Sequence, residues 1–128
     1  MPLFSFIVIA YNVSAYIETC LDSLKKQKGA EYEIIVVNDA STDDTLDTIY
    51  RCAADDSRFH VINKKTNGGA HLARRDGVLS SSGRFIVFVD GDDELSPSFC
   101  ELMGPYVVTH QSDITRFGRR VISTALEN

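Results

Sequence analysis

Four short apolar runs, separated by segments with helical periodicity, constrain this chain more than any other feature. They are Phe4-Ser-Phe-Ile-Val-Ile9, Glu33-Ile-Ile-Val-Val37, Phe59-His-Val-Ile62 and Arg84-Phe-Ile-Val-Phe-Val89. Each has the length of a strand rather than a helix. The first is almost unbroken in apolar character, as expected for a strand covered on both faces, and the fourth reads as buried. Between the first two, Ile17, Leu21 and Leu24 form a helical stripe, with Ser14 as its N-cap and Gly29 as its stop. Ser41-Thr-Asp-Asp44 is a capping-box variant ahead of a second helix carrying Leu46, Ile49, Tyr50 and Ala53. After the turn Asn67-Gly68-Gly69, residues 70–79 read as a third helix, and Gly83 closes the link to the fourth run. Pro97 predicts the first turn of a helix reaching about His110. Asp113-Ile-Thr-Arg-Phe117 reads as a fifth strand, and residues 119–128 carry no assignment. Strand–helix alternation of this kind predicts an α/β domain, a mostly parallel sheet flanked by helices through right-handed crossovers.

Composition narrows the partners. A chain of 128 residues with 44% hydrophobic and 24% charged residues fits one soluble globular domain. Its net charge is −5 and its Lys and Arg are scattered. That argues against nucleic acid, which needs a concentrated basic surface. No apolar run is long enough to span a bilayer, and the N-terminus lacks the basic flank of a signal peptide. The three cysteines, 20, 52 and 100, form no CxxC pair. Zinc and a disulfide framework are therefore not expected. Cys20 and Cys52 read as buried thiols in a reducing, cytoplasmic setting.

Ligands of open α/β sheets bind beyond the carboxyl ends of the strands. The residues there are Ala10-Tyr11-Asn12, Asn38-Asp39-Ala40-Ser41 and Asp90-Gly91-Asp92-Asp93, with Asn67-Gly68-Gly69 and Arg74-Arg75 after the third strand. Three carboxylates within four residues repel one another and need water, donors or a cation. All-oxygen donors suit Mg²⁺ or Mn²⁺, whose open positions accept phosphate oxygens; a solvated acidic turn has the same sequence signature. Tyr11 offers an aromatic face to a base. Asn12 suits holding its own loop by its side-chain amide. Asp39 either accepts the imino proton of a pyrimidine or lies at a helix N-terminus favoured by the dipole. Ser41 reads as a helix cap. Gly68 and Gly69 allow positive φ or close backbone approach, but neither a P-loop nor GxGxxG is present. Arg74 and Arg75 point about 100° apart on a helix, so one of them, assigned as Arg74, supplies charge to a diphosphate. His60, His71 and His110 belong to no nucleophilic triad and read as structural.

Four segments carry a resemblance in order: Phe6-Ile-Val-Ile-Ala-Tyr-Asn12, Glu33 to Thr45, Asn67-Gly-Gly-Ala-His-Leu-Ala-Arg74 and Phe88-Val-Asp-Gly-Asp-Asp93. Together they resemble the nucleotide-sugar-binding half of a family 2 glycosyltransferase with the Rossmann-like GT-A fold. The resemblance implies that residues 1–128 are one donor-binding domain, the N-terminal part of a longer enzyme. It implies that Tyr11 and Asp39 hold the nucleoside, commonly uridine, with Ala10, Asn12, Asn67 and Gly68 around it. Arg74 matches the family's basic position. Asp90-Gly91-Asp92 matches the DXD motif, with Asp92 as direct ligand of Mn²⁺ or Mg²⁺ and Asp90 near the ribose or a metal-bound water. Departures stand at Ala10, where relatives often have Pro, at Asn38-Asp39-Ala40-Ser41 in place of Asp-Asp-Gly-Ser, and at Arg75 in place of Asn.

The whole enzyme is then expected to transfer a sugar from a UDP-sugar to a glycan or lipid-linked acceptor. Its general base would lie beyond this chain, and the chain alone would bind nucleotide while transferring little. A cytoplasmic place, reaching the inner membrane face through the rest of the protein or its acceptor, follows from the same resemblance. Apolar surface left uncovered makes a homodimer a further expectation. The alternatives are a non-catalytic nucleotide-binding module, a nucleotidyltransferase-like domain, or a receiver domain in which Asp39 accepts phosphate; the order of acidic residues fits the last poorly.

Overall fold

The computed structural model describes residues 1–110 and 113–115. Four strands, β1 (Phe4–Ala10), β2 (Tyr32–Asn38), β3 (Phe59–Asn63) and β4 (Phe85–Asp90), alternate with four helices: α1 (Ile17–Lys25), α2 (Thr45–Ala53), α3 (Ala70–Leu79) and α4 (Phe99–His110). The strands form one parallel sheet in the order β3-β2-β1-β4. Right-handed crossovers explain the layers. The chain steps outward from β1 to β2 to β3, so α1 and α2 lie together on one face. It then returns past β1 to β4, which sends α3 to the other face, against β1 and β2. This reversal puts a topological switch point between β1 and β4, and it is beyond the carboxyl ends of the strands at such a point that open α/β sheets bind their ligands.

The main core lies on the α1 side. Phe4, Phe6, Val8, Ile34 and Val36 from the sheet meet Ile17, Leu21, Leu24, Ile49 and Phe99 from the helices. The Phe99 ring stands edge-on to Phe4 and Phe6, with centroids 5.6 and 6.0 Å away, which anchors α4. A smaller cluster of Ile35, Val37 and Ala73 fills the α3 side. There the helix sits so low that a Cβ at Gly77 would overlap Ile7.

Several local expectations change. Ser14 does not cap α1: the helix begins after Tyr16 with no side-chain cap, and the Ser14 amide instead donates to Asp43 Oδ2 at 3.2 Å. Helix α1 ends at Lys25, short of Gly29, whose positive φ of 94° serves the turn into β2. The Ser41 capping box does not form either. Asp43 accepts the Thr45 amide at 3.0 Å, while Ser41 bonds elsewhere. Tyr50 is exposed, because the buried stripe of α2 runs through Thr45, Thr48, Ile49 and Cys52. Helix α4 starts at Phe99, not at Pro97, because the Phe99 amide closes a turn on Ser96 O at 3.0 Å. Buried Gln27 then ties that start to α1, donating to Ser96 O at 2.6 Å and accepting the Cys100 amide at 3.0 Å. Among the described residues, strand β4 lies at the edge of the sheet with one face uncovered, since α3 packs on β1 and β2; Ile86 and Phe88 are exposed there. Residues 116 and 117 of the fifth strand expected over 113–117 fall outside the described residues, and Asp113–Thr115 show no strand. All three thiols are buried, as expected for Cys20 and Cys52.

Candidate functional site at the carboxyl edge of the sheet

The register sets the carboxyl ends of the strands level. Ala10 pairs with Asn38, Ile9 with Asp90, and Asn38 with Asn63. The ladder continues one residue further, with the Asp39 amide on Ala10 O and the Gly91 amide on Ile9 O, each at 2.9 Å. Ala10, Tyr11, Asn12, Asp39, Asp90 and Gly91 are thus brought to one edge, and Asn67, Gly68 and Arg74 reach it from α3 and the loop before it. Tyr11 is half-exposed.

Asn12 holds its loop as anticipated. Its backbone is left-handed, with φ of 51°. Its Oδ1 accepts the Thr42 amide at 2.8 Å, and its own amide donates to Ser41 Oγ at 3.0 Å. Asp39 is only 2% exposed. Its carboxylate accepts the amides of Gly68 at 3.0 Å and Gly69 at 2.9 Å, and Asn67 Nδ2 donates to its carbonyl at 3.2 Å. Gly69, with φ of 88°, precedes the first residue of α3 and no side chain of its own helix caps that end. Asp39 therefore caps α3 from another strand, where the helix dipole favours a negative charge. Of the two readings offered by the sequence, the helix N-terminus is the one seen here, and the helix is α3 rather than the one that follows Asp39 in the chain.

The acidic residues turn tightly after β4, with the Asp93 amide on Asp90 O at 2.9 Å. Only glycine fits at 91, since a Cβ would lie 2.9 Å from Ile9 O and 3.0 Å from Val13 Cγ2. One carboxylate oxygen from each of Asp90, Asp92 and Asp93 lies within 4.8 Å of the others, and all three residues are exposed. That donor set, oxygen-only and open to solvent, fits a hard divalent ion that keeps further positions free. Arg74 Nη2 reaches Asp90 Oδ1 at 3.4 Å, and its guanidinium lies 6.0 Å from the Phe88 ring centroid. Arg75 instead pairs with Asp76 at 3.3 Å, as the 100° separation requires. Beneath the turn, Cys20 Sγ donates to Asp90 O at 3.6 Å. Burial, reinforced by the fields of Asp93, Asp92 and Asp90, pushes this thiol up to about 12, so it stays protonated and inert. Two concavities of about 480 and 530 Å³ lie at the opposite edge, around Met1, Ala30 and Glu31, and contain none of these residues.

The model of glycosyl transferase family 2 matches residues 5–127. The chain belongs to this family. The putative glycosyltransferase EpsH of Bacillus subtilis is 42% identical over 102 residues, which are 80% of this chain and 29% of EpsH. Among solved structures, residues 1–349 of S. aureus TarS, crystallised with UDP-GlcNAc, superpose with a TM-score of 0.81 at 31% identity, covering 98% of this chain and 38% of that one. Glucosyl-3-phosphoglycerate synthase of Mycobacterium tuberculosis, bound to Mn²⁺, UDP and glucosyl-3-phosphoglycerate, superposes with a TM-score of 0.66 at 27% identity, over 82% and 39% of the two chains. These glycosyltransferases confirm the α/β, GT-A type of fold expected from the sequence. The chain spans about a third or less of the length of the relatives it matches. Among its described residues no helix is long and apolar enough to cross a membrane.

The sequence reading placed Asn38 at the strand ends without giving it a role, and missed Asn63. Asn38, 2% exposed, donates through Nδ2 to Asn63 Oδ1 at 3.0 Å and accepts Ser41 Oγ at 2.6 Å. The available signal was a polar residue ending each of two apolar runs, at a position where parallel neighbours face each other.

Proposed function

We propose that this chain is the donor-binding domain of a glycosyltransferase that takes a sugar from a UDP-sugar, with Mn²⁺ or Mg²⁺, and delivers it to a glycan or lipid-linked acceptor. The observation that supports it is the gathering of Arg74 and three carboxylates beside Tyr11 at the β1/β4 switch point. In this reading Tyr11 stacks on the base. Asp39 has lone pairs left after the two glycine amides, and a base imino N–H takes one when the 67–69 turn shifts to expose it. Arg74 leaves Asp90 to bond the diphosphate, an exchange favoured because an exposed pair at 3.4 Å is worth little. Asp92 and Asp90 would hold the ion, Asp92 directly. When bound, such an ion offsets the charge that grows on the leaving nucleoside diphosphate. Ala10, Asn12, Asn67, Gly68 and Gly91 shape the backbone around the ligand.

Transfer also needs a base to take the acceptor hydroxyl proton, and the acceptor site and base belong to sequence that the longer relatives have and this chain does not span. The isolated chain then binds nucleotide and transfers little or no sugar. Asp92→Ala tests the assignment: metal-dependent nucleotide affinity should fall by at least tenfold while the circular dichroism spectrum is unchanged. Unaltered affinity would remove Asp92 from the metal site.

A further inference from the structure

The hydrogen bonds behind the nucleoside edge form a continuous relay across three strands. Asn63 at the end of β3 accepts from Asn38 at the end of β2 (3.0 Å), and Asn38 accepts from Ser41 (2.6 Å). Ser41 accepts the amide of Asn12, next to Tyr11 (3.0 Å). The main chain repeats the tie, with the Lys64 amide on Asn38 O at 3.0 Å. Between these anchors Asn12 and Ala40 stand at φ of 51° and 62°; asparagine tolerates this left-handed region, but alanine enters it only when the surroundings enforce it. Asn38 is the buried member, and it uses both a donor and an acceptor, which a carboxylate could not do.

We infer that Asn38 and Asn63 are a positioning pair that holds the Tyr11 loop and Asp39 in the arrangement that receives the nucleoside. This rests on the donor-binding reading above. The chemistry of the pair makes it testable. One side-chain amide is enough for the Asn38–Asn63 bond. In Asn38→Asp, Asn63 turns its Nδ2 toward the new carboxylate; in Asn63→Asp, Asn38 Nδ2 still donates. The double variant sets two carboxylates about 3 Å apart: with both ionised near neutral pH they repel and the bond is lost, and in acid one takes up a proton and the bond re-forms. The surrounding charges do not relieve them. Lys64, beside Asn63, is held by Asp76 of α3 at 2.6 Å. Asp39, beside Asn38, and Asp43 on the loop that Ser41 belongs to add negative charge.

The experiment compares the 128-residue chain with Asn38→Asp, Asn63→Asp and the double variant. It measures UDP affinity in Mn²⁺ and amide hydrogen exchange over residues 39–43 and 67–69, each at pH 7.5 and pH 5. Dividing the double variant's values by those of the single variants at the same pH cancels the titration of UDP and of the metal ligands. The expected result is single variants within about threefold of the parent and a double variant at least tenfold weaker than either at pH 7.5. Exchange in those loops should be faster in the double variant while β1 stays protected. At pH 5, where the pair shares a proton, most of the loss should be recovered. A double variant no weaker than the singles, or a deficit equal at both pH values, overturns the pair. Faster loop exchange with undiminished affinity also overturns it, because the loop would then be braced without serving the ligand. A parent chain that is folded and binds no nucleotide refutes the donor reading and the positioning role with it, an outcome distinct from parent binding without a loss specific to the double variant.

Discussion

Replacing Gly77 by alanine sets two effects of opposite sign against each other. In a helix interior alanine is favoured over glycine by about 1 kcal/mol, so α3 taken alone should gain. The structure argues otherwise. A Cβ at 77 would overlap Cγ2 of Ile7 and lie 3.5 Å from its Cβ and Cδ1. Ile7 is fully buried on the central strand β1, paired with Ile35 on one side and Phe88 on the other, and cannot swing away. Overpacking of this kind costs about 1–3 kcal/mol, and an immovable neighbour puts it near the upper end. The net expectation is a loss of about 2 kcal/mol, or a urea midpoint lower by about 1 M in far-UV circular dichroism at an ordinary slope for a small domain. In an Ile7→Ala background the same substitution should become neutral or stabilising, because the clashing methyl groups are gone. A midpoint unchanged or raised by Gly77→Ala alone would show that α3 does not sit this close to β1. The result also bears on the site, since α3 carries Arg74.

Two further outcomes follow from buried and bonded groups. Glu33 accepts from Ser5 Oγ and from the amide and hydroxyl of Ser82. Burial works to raise its carboxyl, but these bonds outweigh it and hold the group below its usual range. Asp43 is likewise drawn down to about 2: desolvation opposes the shift, and bonds from Thr45 and Ser14 overcome it. Both groups bind protons more tightly when unfolded, so their contribution is fully present above about pH 5 and is lost as pH falls toward 2. Stability measured by urea unfolding should decline over that window, and more shallowly in Glu33→Gln; a slope as steep as in the parent would refute the assignment. The three cysteines should resist alkylation at pH 8 in the native chain and react in urea. Cys20 and Cys100 are fully buried, with thiols pushed up to about 12 and about 11. Rapid native labelling of Cys20 would mean that the turn over it opens.

The strands were legible to within about one residue, and α3 was legible over its whole length, because apolar runs and glycine turns are local signals. The acidic turn, Tyr11 and Arg74 were legible for a topological reason, since strand ends in such sheets converge. The caps were not. Ser14 and Ser41 match capping patterns, yet the Ser14 amide bonds Asp43 and the Ser41 hydroxyl accepts the Asn12 amide, each 29 positions away, and no local pattern reports a partner at that distance. The same limit hid the cap that Asp39 provides to α3 and the Asn38–Asn63 bond, 25 residues apart in sequence. Tyr50 followed the apolar pattern and came out exposed, because the buried stripe of α2 includes two threonines whose hydroxyl-bearing side chains face inward. Ile86 and Phe88 look like core residues in the sequence; only the strand order shows that, among the described residues, β4 is an edge with one face uncovered.

The most direct test of the central claim is a calorimetric titration of UDP into the folded chain with Mn²⁺, repeated with a chelator and beside GDP and ADP. The account expects binding that requires the metal and favours UDP, weakened in Tyr11→Ala and lost in Asp92→Ala. A chain that is folded by circular dichroism and binds none of the three nucleotides, or binds them equally well in chelator, would contradict it.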